Sequence, residues 1–294
     1  MESIARKIAD ASRLQLVFLA ATWIAGIYVN GFVPIIPGTA AGVILLDPAV
    51  DVHVVLATLS AATSVFILAL AWAEGRRRPA ALALMASLSI VLAGDSGIAF
   101  VLGGGSEAGQ SMMMAVAFAT AVFFTFFSMA SLHPEETRTY GGETANGALD
   151  IGYVTLVLFY AVFVSGIYVN LFVVGPVFSL PLGLEAAAFK QAESSAGFLI
   201  HEALGALLLV SLVVLTAALW SRGTRRSAGV SAAPALLVAY SAYVGSLNLT
   251  SPPVPGTAST GSALVSMLSS AGLIAALVVT MLLLLRLRTD RSHA

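Results

Sequence analysis

At 294 residues, with 59% hydrophobic and 10% charged residues and a formal net charge of -1, the chain has too little charge to clothe a soluble surface. Soluble domains carry about 25% charged residues, so a mean hydropathy of +0.95 sets most of this surface against lipid. No basic stripe suggests a nucleic-acid partner, and the absence of cysteine excludes disulfides, iron–sulfur clusters, thiolate–zinc sites and cysteine nucleophiles together.

Eight runs are long enough to cross a bilayer, which takes about 20 apolar residues: 14–33, 53–73, 80–102, 111–132, 150–172, 198–220, 231–249 and 262–286. They are too long and too uniformly apolar for barrel strands, and a helix satisfies its own backbone in lipid. The first run follows a charged segment and lacks a small-residue cleavage site, so it reads as a retained anchor. The stretch 133–149, with Glu135, Glu136, Arg138, Gly141, Gly142 and Glu143, reads as a solvated linker. The loops 34–52, 103–110, 173–197 and 250–261 are rich in Gly, Pro and Ser, and the third is expected to hold a short interfacial helix around 184–193. Alternation of the eight spans puts 13 of the 14 Lys and Arg on one side and Lys190 alone on the other. That bias predicts a multi-pass cell-membrane protein with both termini cytoplasmic.

The pentapeptide Gly26-Ile27-Tyr28-Val29-Asn30 recurs as Gly166-Ile167-Tyr168-Val169-Asn170, 140 residues later. Behind each copy come a loop, a histidine and a tryptophan. His53 and His201 are 148 residues apart, as are Trp72 and Trp220. Landmarks in constant order predict an internal duplication. The expected fold is an all-α integral membrane protein of two tandemly repeated four-helix bundles, residues 1–132 and 150–294, joined by the linker 133–149.

His53 and His201 fall at the outer ends of the second and sixth spans. Ala57 and Gly205 follow at i+4, on the same helical face. A porphyrin is a flat plate whose iron reaches an imidazole only past a small neighbour, so both histidines are candidate axial ligands to heme. The plainer reading is an interfacial histidine wetted by headgroups. The fourth and eighth spans carry Met112, Met113, Met114 and Met267 at comparable depth. Met112 and Met267 read either as second axial ligands or as core gap-fillers. Tyr28, Asn30, Tyr168 and Asn170 are level with the histidines, as partners of heme propionates and the covering loop or as interfacial anchors. Asp95, deep in the third span, reads as a proton relay or a neutral carboxyl bonded to a neighbouring helix. Asp51, two residues before His53, is the candidate base or ligand-steering group, against a solvated loop charge. His133 and His293 read as solvated.

Eight spans in two tandem bundles, with cytoplasmic termini and histidines at the outer ends of the second and sixth spans, resemble the heme A synthase family. The resemblance implies heme ligation by His53 and His201, heme b in the second half, and oxidation of a heme O methyl group in the first. It also implies a terminal oxidase or other respiratory subunits as partners, besides the lipid bilayer. The chain departs from the family where histidines are expected on the fourth and eighth spans, for Met112–Met114 and Met267 stand there. Val50 stands where the family has a glutamate, and the outer-loop cysteine pair of some members is missing. Two alternatives stand beside it: a b-type cytochrome with one or two hemes, and a heme-free transporter or structural subunit.

Overall fold

A computed structural model describes residues 4–33, 47–103, 108–132, 143–174, 185–221, 225–250 and 258–291. The described secondary structure is helical throughout: α1 (Ile4–Phe32), α2 (Pro48–Ala73), α3 (Arg77–Leu102), α4 (Ala108–Ala130), α5 (Glu143–Tyr168), a π-helical turn (Val169–Val174), α6 (Glu185–Glu193), α7 (Ala196–Ser221), α8 (Arg225–Thr250) and α9 (Ala258–Arg291). Eight of the nine described α-helices, all but the short α6, are long and apolar enough to cross a membrane, as the hydropathy requires. α6 occupies the place expected of the interfacial helix.

The ends depart from expectation in two places. α1 begins ten residues before the first apolar run, and its extension is polar, with Asp10 bridging Arg13 at 2.7 Å and Arg6 at 4.0 Å. Residues 143–149, read as linker, are the opening turns of α5. Asp47 caps α2 ahead of Pro48 at N1, its carboxylate accepting from Ala49 N at 2.8 Å. α2 ends in a Schellman turn. Gly75 takes φ 65°, its N–H donates to the Trp72 carbonyl (3.0 Å), and Arg76 N–H donates to the Ala71 carbonyl (3.0 Å). Only glycine takes that left-handed position at little cost, which is how α3 starts so soon after α2 ends.

The chain divides into two compact units, Met1–Pro134 and Glu135–Ala294. In unit 1 each of α1–α4 packs on the next, and α4 closes back on α1. In unit 2, α5, α7, α8 and α9 form the same ring. Unit 1 is centred on Leu19, Ile90 and Ala121, with Ala61, Phe118 and Val122 packed around them. Unit 2 is centred on Ala148, Leu215, Leu219, Ala228 and Leu283. Large apolar side chains also point outward, Val17 and Val157 among them, as expected where the surrounding solvent is hydrocarbon. With no hydrophobic gradient between lipid and core, helix association rests on close packing and interhelical hydrogen bonds. Small residues serve that packing: Gly152 lies against Leu284, and a Cβ at Gly272 would come 2.5 Å from Ser241 Oγ.

Candidate functional site

His53 lies in the second turn of α2 and His201 in the second turn of α7. Each ring leans onto the preceding long helix, at the glycine of the repeated pentapeptide. A Cβ on Gly26 would stand 2.9 Å from His53 Cε1, and a Cβ on Gly166 would stand 2.9 Å from His201 Cε1. Real Cβ atoms do not approach that closely, so both positions demand glycine while the imidazoles keep their place. The repeated glycine is thus the seat of the histidine.

One ring nitrogen of each histidine is held. His53 Nδ1 lies 2.9 Å from the Thr22 carbonyl oxygen. A carbonyl only accepts, so Nδ1 carries the proton. In unit 2 the partner is a hydroxyl: Ser165 Oγ donates to the Val162 carbonyl at 3.1 Å and lies 2.9 Å from His201 Nδ1. The Val162 carbonyl, 140 residues after Thr22, also bonds the His201 ring and can only accept, so the ring N–H is again the donor. In both halves this tautomer leaves the Nε2 lone pair available. An imidazole fixed through one nitrogen and offering the other is the usual state of a metal-ligating histidine. Both rings are half-buried.

The other expected residues fall at varied places. Ala57 and Gly205 are partly buried one turn along the histidine faces, and a Cβ at Gly205 would meet nothing within 4 Å. Tyr28 and Tyr168 are half-exposed. Tyr168 packs over Gly197 at the start of α7, where a Cβ would be 3.0 Å from its Cε1, and its ring lies 5.4 Å from that of Phe172. Asn170 is exposed on the π-helical turn that replaces α-helix in the second copy of the pentapeptide. Asp51 is exposed in the first turn of α2. Two residues from His53, it projects from a different helical face. Asp95 is exposed on α3.

Met112 is partly buried near the start of α4, Met113 is exposed, and the Met114 sulfur would stand 3.3 Å from a Cβ on Gly97 of α3. The Met114 sulfur therefore packs on α3, whereas the His53 ring is fixed on α1. The side chains of Asn30 and Met267 lie outside the described residues, as do His133, His293 and the prolines 34, 37, 252, 253 and 255. Among the described residues, no three or more His, Asp or Glu side chains gather where they would hold a bare metal ion.

Sequence reasoning singled out the histidines and the pentapeptide but missed Thr22 and Ser165, and missed that glycine and histidine touch. The signal for the contact was present: the glycine and the histidine are landmarks that both copies keep. Nothing marked Ser165, because its counterpart 140 residues earlier is Ala25.

Fold and site together define a multi-pass, all-helical membrane protein with two tautomer-fixed histidines, one in each unit. No family model matches the chain, and no curated protein matches it.

Proposed function

We propose that the chain is a membrane heme-binding protein in which two tandem four-helix bundles each offer one axial imidazole, His53 and His201, at the outer side. The observation that carries the reading is the pair of Nδ1–H hydrogen bonds, to the Thr22 carbonyl and the Ser165 hydroxyl, which leave both Nε2 atoms as ligands. The residues fit the group. Porphyrin nitrogens supply four ligands, so one protein imidazole suffices to attach the iron and no wider ligand cluster is needed. Ala57 and Gly205 leave the face beside each ring low. Bound heme would supply one-electron chemistry and, with an open axial position, oxygen chemistry.

The tandem relation is supported by the matching Gly26–His53 and Gly166–His201 contacts and by the common ring of helices. Cytoplasmic termini are supported by the distribution of Lys and Arg. The resemblance to heme A synthases makes the first reading of activity the oxidation of a heme O methyl group. A second reading, a b-type electron carrier serving respiratory subunits, is favoured by Val50 and by Met112 and Met267 at the places of the family's glutamate and further histidines.

The test is the absorption spectrum of protein purified from heme-replete cells. A Soret band is expected, and His53→Ala and His201→Ala should each remove one half's contribution. A colourless protein would leave only a heme-free transporter or structural subunit. Chromatography of hemes extracted after co-expression with a source of heme O separates the other two readings, since only the enzyme yields an oxidised product.

A further inference from the structure

Moving along unit 1 away from His53, the core meets polar groups in layers. Thr22 and Ser60 face each other at 3.4 Å, and below them lies the apolar layer of Leu19, Ile90 and Ala121 with Ala61 packed against it. One helical turn further on the same faces stand Gln15, Ser64, Ser87 and Thr125, one from each helix: Gln15 four residues from Leu19, Ser64 three from Ala61, Ser87 three from Ile90, Thr125 four from Ala121. Gln15 is 1% exposed, Ser64 0% and Thr125 2%.

The hydrogens of this layer are almost all engaged. Ser87 donates to the Ala83 carbonyl at 2.9 Å, so Ser64 donates to Ser87 across their 2.7 Å contact. Thr125 donates to the Ala121 carbonyl at 2.8 Å. What remains at this level is hydroxyl lone pairs, which accept, and one amide nitrogen without a partner. Among the described residues, no atom accepts a hydrogen bond from Gln15 Nε2. A buried amide N–H at the same level as these acceptors is matched by a molecule that accepts once and donates twice. A cation cannot accept, and an apolar group satisfies neither side.

We propose that this layer is an internal water site, built by Gln15, Ser64, Ser87 and Thr125, with water accepting from Gln15 Nε2–H and donating to the hydroxyl oxygens. Buried waters make about three such bonds to polar groups that the chain leaves unsatisfied. The site is particular to unit 1. In unit 2, Thr155 replaces Gln15 at the 140-residue spacing and is already engaged, 2.6 Å from Ser211 Oγ, while fully buried Leu208 and Leu212 stand at the 148-residue spacing from Ser60 and Ser64.

Radiolytic hydroxyl-radical labelling in oxygen-18 water reads bound water directly, because radicals born on internal water oxidise the side chains beside it. In the full-length protein, Leu19 and Met129, each 1% exposed and so shielded from bulk radicals, are expected to take up label. Met281 of unit 2, 0% exposed, is the dry reference and should stay unlabelled. Leu19 and Met129 as protected as Met281 would overturn the proposal. Gln15→Leu should abolish the labelling, and labelling that survived in the folded variant would overturn the assignment to this layer. Should that variant not fold, Thr125→Val, which removes an acceptor, is expected to weaken the labelling, and unchanged labelling would count against the site equally.

Discussion

The two units share a ring of helices but differ in what fills it. The buried stripe of α2 is Ser60, Ser64, Ile67 and Ala71, and the stripe of α7 at the 148-residue spacing is Leu208, Leu212, Leu215 and Leu219. All of these side chains are at most 1% exposed. Unit 1 joins its helices there through small side chains and hydroxyls, such as Ser64 on Ser87 and Ser128 on the Pro79 carbonyl. Unit 2 has leucines along this stripe and places its interhelical hydrogen bonds elsewhere, Thr155 with Ser211, Ser231 with Thr216 and Ser269 with the Ser241 carbonyl. The histidines are held alike, the Thr22 carbonyl bonding His53 and the Val162 carbonyl His201, with the Ser165 hydroxyl added in unit 2. The difference extends to the pentapeptide, which continues α1 in unit 1 and passes into a π-helical turn in unit 2. One scaffold thus carries two interiors, and the histidine seat is what they keep in common.

The contrast is most exposed to test at the stripe. Leu212→Ala should destabilise unit 2 by about 2–5 kcal/mol, the usual range for emptying a packed leucine site, whereas Ser64→Ala should cost unit 1 about 0.5–1.5 kcal/mol, one hydrogen bond. Unfolding monitored separately in each unit checks both values, and equal losses would erase the distinction between the interiors. The common feature comes next. Gly26→Ala and Gly166→Ala should each push the imidazole off its rotamer at a cost of about 0.5–1.5 kcal/mol, which on the proposed heme reading lowers heme affinity of that half roughly two- to tenfold. Heme titration of the two variants should give matching shifts. A large effect in one half alone would mean that the two seats are not equivalent. The smallest effect is expected from Ser165→Ala, which removes only the hydroxyl and leaves His201 its main-chain partner at Val162, as His53 has at Thr22. A loss of at most about 1 kcal/mol, with the heme spectrum of that half moving toward its partner's, would sharpen the comparison.

Much of the fold was legible because hydropathy is a property of a segment by itself. Eight apolar runs and the one short amphipathic stretch reappear as eight long helices and α6. Boundaries were less legible where a polar helix end adds no apolar signal, as at 4–13 and 143–149. The site was half legible: two histidines at one spacing and two glycines at another stand out in any reading. Asp47 falls in a stretch that hydropathy marks only as loop, although Asp-Pro before an apolar run is a capping signature in its own right.

By itself the sequence determined that the chain lies in a membrane, how many helices are long enough to cross it, and that each half carries one histidine behind one copy of a pentapeptide. Only the tertiary structure decided that the histidine sits on that pentapeptide's glycine, which ring nitrogen of His53 holds the proton, and that Gln15 is buried with an unpartnered amide in one unit while Leu208 and Leu212 are buried in the other. The reason is rotational. A lipid-facing helix is apolar on every side, so its sequence does not announce which face turns inward. Contacts between faces exist only once each helix has settled its rotation against its neighbours.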